Sequence, residues 1–387
     1  MISLIKSPFY KEKDTREALS KFVLTCDRMS MDKECRRFEQ SFAEKQGRKH
    51  AIFVNSGSSA NLILFQALLN TGKVHKGNRV GFSALTWSTN VIPLFQLGLE
   101  PVAIDCSLET LNISPETLLS KIEEVDALFV TNVLGFADKI ADIRKICDDH
   151  GVLLLEDNCE GLGSIVQGNK LGNFGLASTF SFFLGHHLST IEGGMVCTDD
   201  TDLHRALVMA RAHGWDRNLD DQTQKELRKN ASVDDFFSKY TFYDLGFNLR
   251  PTEINGFVGN IQLRFLDETL GKRRDNFMKF YLAAKGNSSI VPMSIDHMDF
   301  VSNFAMPLVF KDDASFSEYK DRFEKADVEI RPIIAGDITL QPFYMKYKKG
   351  EPESVPNARF VHDHGFYFGN NPDLTADEVE TLTRLLQ

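Results

Sequence analysis

Five apolar runs (51–55, 80–84, 101–106, 127–132 and 152–157) alternate with four stretches of helical pattern (59–69, 88–97, 115–122 and 139–149). No other feature of the chain restricts its fold as strongly. Strands joined by helical crossovers run parallel and are covered on both faces, so they read as unbroken apolar runs. The last of these helical stretches reaches His150-Gly151, a favourable C-terminal stop. Two more strand-like runs, 179–183 and 195–198, lie closer together and fit a local hairpin.

The expected class is therefore α/β with a mostly parallel sheet. At 387 residues the chain is too long for one simple core. We expect a large domain with N-terminal helices over 1–250 and a smaller C-terminal α/β domain over 251–387. The second opens with a long helical pattern, 252–284. It continues with a strand at 306–310, a helix near 316–325, a strand at 328–333 and a terminal helix near 376–386. The polar stretch 220–239 reads as a loop or mobile insertion.

The net charge of −10 is spread along the chain, which argues against a nucleic-acid surface. The opening residues lack the apolar stretch of a signal peptide, and no run approaches the ~20 apolar residues that span a bilayer. A cytoplasmic protein without a membrane partner is expected. Six cysteines, at 26, 35, 106, 147, 159 and 197, form no C-x-x-C pair and read as buried thiols.

Open α/β sheets bind ligands beyond the carboxyl ends of their strands, and several of those ends carry suitable residues. Asn55-Ser56-Gly57-Ser58-Ser59-Ala60-Asn61 joins a strand to a helix. Its small residues let helix N-terminal N–H groups approach a phosphate, although an ordinary turn and N-cap use the same residues. Asp157 ends the run 152–157, where a carboxylate could keep a pyridine nitrogen protonated or simply cap a helix. Trp87 could stack on a flat ring or fill the core. His213 and Arg217, in Ala212-His213-Gly214-Trp215-Asp216-Arg217, and Asn248 and Arg250, in Gly246-Phe247-Asn248-Leu249-Arg250, sit in segments that also read as surface loops. Both arginines offer the bidentate guanidinium that suits phosphate. His186 and His187 follow the run 179–183. In extended chain neighbours point to opposite faces, so only one of them faces a site there. No carboxylate or cysteine lies at ligand-like local spacing, and no metal is expected.

Taken in order, Ser56-Gly57-Ser58-Ser59, Trp87, Glu156-Asp157, Ser181-Phe182-Phe183, Glu192-Gly193-Gly194 and Gly246-x-Asn248-x-Arg250 resemble the pyridoxal phosphate-dependent nucleotide-sugar aminotransferases and dehydratases. The resemblance runs from about Arg37 to the C-terminus. It implies a fold-type I transferase in which Gly57, Ser58 and Ser181 hold the cofactor phosphate, Trp87 stacks on the ring and Asp157 pairs with the pyridine nitrogen. Asn248 would reach the cofactor of the neighbouring subunit in a homodimer with shared active sites. Two positions depart from the aminotransferase pattern. Glu160 stands in the cofactor site where glutamine is usual, and His186, five residues after Ser181, stands where the Schiff-base lysine belongs.

A histidine there narrows the resemblance to the C3-deoxygenating dehydratases. The subgroup that uses an iron–sulfur reductase carries cysteines downstream of this histidine, and none follows Cys197. What remains is the subgroup acting on a GDP-4-keto-6-deoxy-mannose type of sugar, as in colitose biosynthesis. It implies conversion of pyridoxal 5′-phosphate to pyridoxamine 5′-phosphate with L-glutamate as amino donor, then loss of the sugar C3 hydroxyl as water and release of ammonia. His186 would be base and acid, with an ordinary imidazole pKa of ~6.5. His213, Arg217 and Arg250 would recognise substrate or donor. An enzyme on another nucleotide sugar and a catalytically silent cofactor or sugar binder are the alternatives.

Overall fold

The computed structural model describes residues 1–350 and 353–387. Two helices, α1 (Glu12–Thr25) and α2 (Lys33–Gln46), precede β1 (His50–Val54) and α3 (Gly57–Asn70). Alternation continues through β2 (Arg79–Ser83), α4 (Ile92–Leu97), β3 (Glu100–Ile104), α5 (Pro115–Leu119), β4 (Ala127–Thr131), α6 (Ile140–His150) and β5 (Leu153–Asp157). A two-stranded hairpin, β6 (Ile165–Val166) and β7 (Asn169–Lys170), leads to β8 (Ala177–Ser181) and β9 (Gly194–Thr198). Helices α7 (Thr201–Arg211), α8 (Asp221–Asn230), α9 (Glu253–Leu263) and α10 (Leu266–Lys285) follow. The chain ends with β10 (Ala305–Val309), α11 (Asp313–Lys325), β11 (Ile330–Pro332), α12 (Pro342–Tyr347), α13 (Pro356–His364), β12 (Gly365–Gly369) and α14 (Ala376–Leu385).

Seven strands form the main sheet in the order β1-β9-β8-β5-β4-β2-β3. Only β9 runs against its neighbours, so the expected hairpin is the β8–β9 pair, and the remaining pairings are parallel. Both faces are covered: every residue of β4 is buried, and Phe65 of α3 meets Phe129 of β4 edge to face at 5.2 Å. A second apolar cluster joins α2 to the other end of the sheet, with Phe42 and Phe182 at 5.1 Å and Phe38 and Phe53 at 4.9 Å. The smaller sheet is antiparallel in the order β10-β12-β11.

Two expectations change. Residues 220–239 are not merely a loop: Asp220 caps α8 by accepting from the Thr223 N–H at 3.0 Å, and Arg228 pairs with the buried Asp216 at 2.8 Å. Good helix formers at Gln, Lys, Glu, Leu and Arg positions make this helix polar on nearly every side, which hides it from an apolar-periodicity reading. The pattern 252–284 is two helices. They are divided at Arg264-Phe265, whose N–H groups reach back only three residues, to Ile261 and Gln262. The central strand of the smaller sheet, β12, was not expected at all.

Parity at the end of β5 positions the site. Successive side chains of a strand face opposite ways, so Glu156 and Asp157 part company. The fully buried Glu156 carboxylate accepts from the N–H groups of Gly172 (2.7 Å), Phe174 (2.7 Å) and Gly175 (2.8 Å), which ties down the entry to β8. Glu156→Gln puts an amide N–H2 against one of these donors. Since buried hydrogen bonds to a charged group are worth ~1.5–3 kcal/mol each, the variant is expected to lose about 3 kcal/mol of unfolding free energy, read from the denaturant midpoint.

Candidate active site

A cavity of about 370 Å³ opens beyond the carboxyl ends of β4, β5 and β8. Those ends are Thr131, Asp157 and Ser181, and all three line it. From the start of α3 come Ser56, Gly57 and Ser58; Ser56 caps the helix by accepting from the Ser59 N–H at 3.0 Å. The first N–H groups of a helix have no partner within it, so this corner presents donors to an anion. Gly57 keeps it open, because a Cβ there would lie 2.7 Å from the Ser181 Cβ.

Asp157 is 4% exposed and strictly oriented. One carboxylate oxygen, Oδ2, accepts from Asn61 Nδ2 (2.9 Å) and Asn90 Nδ2 (2.7 Å), and Oδ1 accepts from the Cys159 N–H (2.9 Å). Trp87 lines the same cavity with 54% of its surface free, as a ring awaiting a flat partner would be. Glu160 takes the Leu134 N–H at 2.8 Å on Oε2. Burial, reinforced by the charge of Asp157 and opposed by the Leu134 bond, pushes Glu160 up to about 8, so near neutrality it carries a proton and can donate. The Tyr367 phenol is pushed up to about 12, by burial and then by Glu160.

His186 lines this cavity and His187 does not. Strand β8 has already ended at Ser181, so the pair sits in turns, and the extended-chain argument for their opposite facing does not apply. Tertiary bonds separate them instead: His187 is buried with Nε2 3.2 Å from the Ser302 carbonyl. The imidazole of His186 stands 5.2 Å from the Phe304 ring and 6.3 Å from Phe183. Burial and then the guanidinium of Arg273 push His186 down to about 4, well below the ordinary value expected from sequence. It is thus a neutral base across the physiological range.

Seven of the expected residues come together here: Gly57, Ser58, Trp87, Asp157, Glu160, Ser181 and His186. Asn248, His213, Arg217 and Arg250 do not line the cavity and form a separate cluster. There Arg217 lies 4.1 Å over Trp215, Arg250 lies 5.5 Å from the same ring and donates to Asn248 at 3.0 Å, and His213 meets Trp215 edge to face at 4.8 Å. Sequence reading passed over Asn61, Asn90, Thr131, Phe304 and Tyr367. The two asparagines lie close to Ser56–Ser59 and Trp87, whereas nothing in the sequence ties Phe304 or Tyr367 to those motifs. Leu4 and Ile5 also form part of the wall. They are held there by a parallel bridge from Ile2 to Val328 and a 2.9 Å bond from the Leu4 N–H to Glu329.

The donor set fits pyridoxal phosphate: an anion corner with a glycine a side chain would fill, a doubly braced carboxylate for a ring nitrogen, and an exposed tryptophan. No group of three or more His, Cys, Asp or Glu placed to hold a metal occurs among the described residues, nor is any described helix long and apolar enough to cross a membrane.

Residues 11–387 match the model of the DegT/DnrJ/EryC1/StrS aminotransferase family. The chain is 32% identical over 372 residues to a GDP-4-keto-6-deoxy-D-mannose 3-dehydratase from Yersinia pseudotuberculosis, spanning 94% of this chain and 93% of that one. It is 28% identical to a GDP-perosamine synthase from Vibrio cholerae, over 91% of this chain and 89% of that protein. A crystal structure of GDP-4-keto-6-deoxymannose-3-dehydratase with a trapped PLP-glutamate geminal diamine superposes with a TM-score of 0.91 at 30% identity, each chain being covered in full.

The raised Glu160 carboxyl has a consequence for the unliganded protein. A folded-state value near 8 against an ordinary 4.5 means its stabilising protonation is complete below about 4.5 and lost as pH rises through 8. Thermal midpoints of Glu160→Gln and the parent, compared from pH 5 to pH 9, should therefore shift in favour of the variant as pH rises. The buried histidines are common to both proteins and cancel in that difference.

Proposed function

Because the chain belongs to the DegT/DnrJ/EryC1/StrS aminotransferase family, we propose that it is a pyridoxal phosphate-dependent 3-dehydratase of a nucleotide-linked 4-keto-6-deoxy sugar, with His186 in the place of the Schiff-base lysine. The sugar closest to this reading is GDP-4-keto-6-deoxy-D-mannose. One observation carries it: among the described residues no lysine lines the cavity, and a histidine shares its wall with the braced aspartate. An imidazole moves protons but has no primary amine with which to hold the cofactor or complete an amino transfer.

Bound pyridoxal phosphate, converted to pyridoxamine phosphate by L-glutamate, would supply the amine for the sugar C4 ketone and an electron sink for departure of the C3 hydroxyl. The protein's share is binding, orientation and proton movement. Gly57, Ser58 and Ser181 hold the phosphate, Trp87 covers one face of the ring, and Asp157 keeps the ring nitrogen protonated. Neutral Glu160 donates a hydrogen bond to the cofactor, and so does the work of the glutamine usual at that position. His186 accepts a proton and returns it to the leaving hydroxyl. With no covalent link, these contacts supply all of the affinity. Asn248, His213, Arg217 and Arg250 serve the site of a second copy in a homodimer, in keeping with their absence from the lining of their own chain's cavity.

Incubation with pyridoxal phosphate, L-glutamate and a panel of GDP-, CDP- and dTDP-linked 4-keto-6-deoxy sugars tests the reading by mass detection. Loss of water from the sugar with release of ammonia is expected, greatest with the GDP sugar. An amino group retained on the sugar would make the protein an aminotransferase, and cofactor binding without turnover would make it a binder. In His186→Lys, dehydration should fall by about 10²-fold or more while borohydride newly fixes the cofactor to the chain. Retained dehydration in that variant would remove His186 from the chemistry.

A further inference from the structure

Bonded to the main chain of His186, and not itself lining the cavity, lies a buried cation that the motifs did not single out. Arg273, on α10, is 5% exposed and makes no salt bridge among the described residues. Instead its guanidinium donates to two backbone carbonyls: Nη1 to Asn370 at 2.6 Å and Nη2 to His186 itself at 3.4 Å. The Asn370 side chain returns a bond to the Arg273 carbonyl at 2.8 Å and another to Asn303 Oδ1 at 2.8 Å. Thus α10, the end of β12 and the segment before β10 converge on the turn that carries His186. Taking a guanidinium out of water without a carboxylate in contact is costly, and a cation buried in this way asks for a purpose.

We propose that Arg273 is a positioning residue for His186: it clamps the backbone of the turn that carries the imidazole and sets a fixed, buried positive charge against that turn. The other charged or titratable groups around the ring are few. His187 adjoins it in the same turn, Asp157, Cys159 and Glu160 face it from the end of β5 and the chain just beyond, and Glu192 and Tyr367 share the cavity wall. Asp373, beyond β12, lies on the side of Arg273 and partly offsets it. Of these neighbours only Arg273 carries a fixed positive charge. The guanidinium itself is pushed down to about 10 by burial, so it stays charged throughout the physiological range.

The inference rests on the proposed role of His186 and deepens it. A proton accepted by the imidazole would be repelled by the guanidinium that holds the same turn, which, with burial, makes the imidazolium a stronger acid than an ordinary histidine. It would therefore pass its proton on readily, as a base that must next act as an acid should. A lysine at 273 keeps the charge, and a glutamine keeps polarity and some hydrogen bonding without it.

The test uses protein labelled at histidine, without cofactor or substrate, and follows the His186 imidazole by NMR, its signal identified by absence in His186→Asn. In the parent protein His186 should remain neutral down to about pH 5. In Arg273→Gln its titration should move up by about one pH unit or more, and in Arg273→Lys it should stay low. Titration of the parent near 6.5, or an unmoved Arg273→Gln, overturns the proposal, and the parent measurement decides even if the glutamine variant fails to fold. This readout does not depend on turnover. Full dehydratase activity in His186→Asn would sink the catalytic reading while leaving the effect of Arg273 on the ring measurable.

Discussion

The site depends on a single parity. Strand β5 ends in two adjacent carboxylates, and because a strand alternates its side chains, one must serve the fold and the other the cavity. Glu156 gathers three N–H groups from the chain entering β8, which fixes where that strand starts and hence where Ser181 ends it. Asp157, one residue on, is gripped by two asparagine amides and a backbone N–H. A slip of one residue in the pairing of β5 would exchange the two and abolish both arrangements. The register that prevents it, Thr131 opposite Asp157 and Asp157 opposite Thr179, runs through the three middle strands of the sheet.

The second organising principle is electrostatic. The cavity moves the proton affinities of two groups away from those they have in water. Glu160 is neutral because burial and Asp157 both resist another negative charge, and His186 is neutral because burial and Arg273 resist a positive one. Asp157, by contrast, is braced by its neighbours as an acceptor. A pocket that offers one carboxylate as an acceptor and another as a protonated donor can sort the two ends of a polar ring.

Much of this could be read from the residues. The alternation of apolar runs and helices specified the parallel sheet, and small residues, a tryptophan and an aspartate at strand ends marked the cavity before any coordinates. What escaped has physical reasons. Helix α8 has no apolar stripe to detect, since a cap and an ion pair hold it. The break at Arg264 lies inside a continuous periodic pattern and is visible only in the shortened hydrogen bonds. Phe304 and Tyr367 reach the cavity from the smaller sheet, and long-range proximity leaves no trace in local composition. The choice between His186 and His187 came from motif spacing; the structure separates them by tertiary bonds, Ser302 for one and the open cavity for the other. The low proton affinity of His186 could not be read at all, because it comes from burial in the folded chain and then from Arg273, eighty-seven residues away in sequence.

The cavity wall also includes Leu4 and Ile5, held against β11 and β12 by Ile2, Leu4 and Glu329, with Gly369 so close to Leu4 that a Cβ there would lie 2.8 Å from its carbonyl oxygen. Leu4 is thereby tied to Glu329, 325 positions further along the chain. During synthesis the α/β core can assemble as its strands emerge, but this wall waits until residue 369 has left the ribosome. Until then the anion corner and the braced aspartate stand on an unfinished pocket, so a chain stalled short of β12 could not enclose a ligand there.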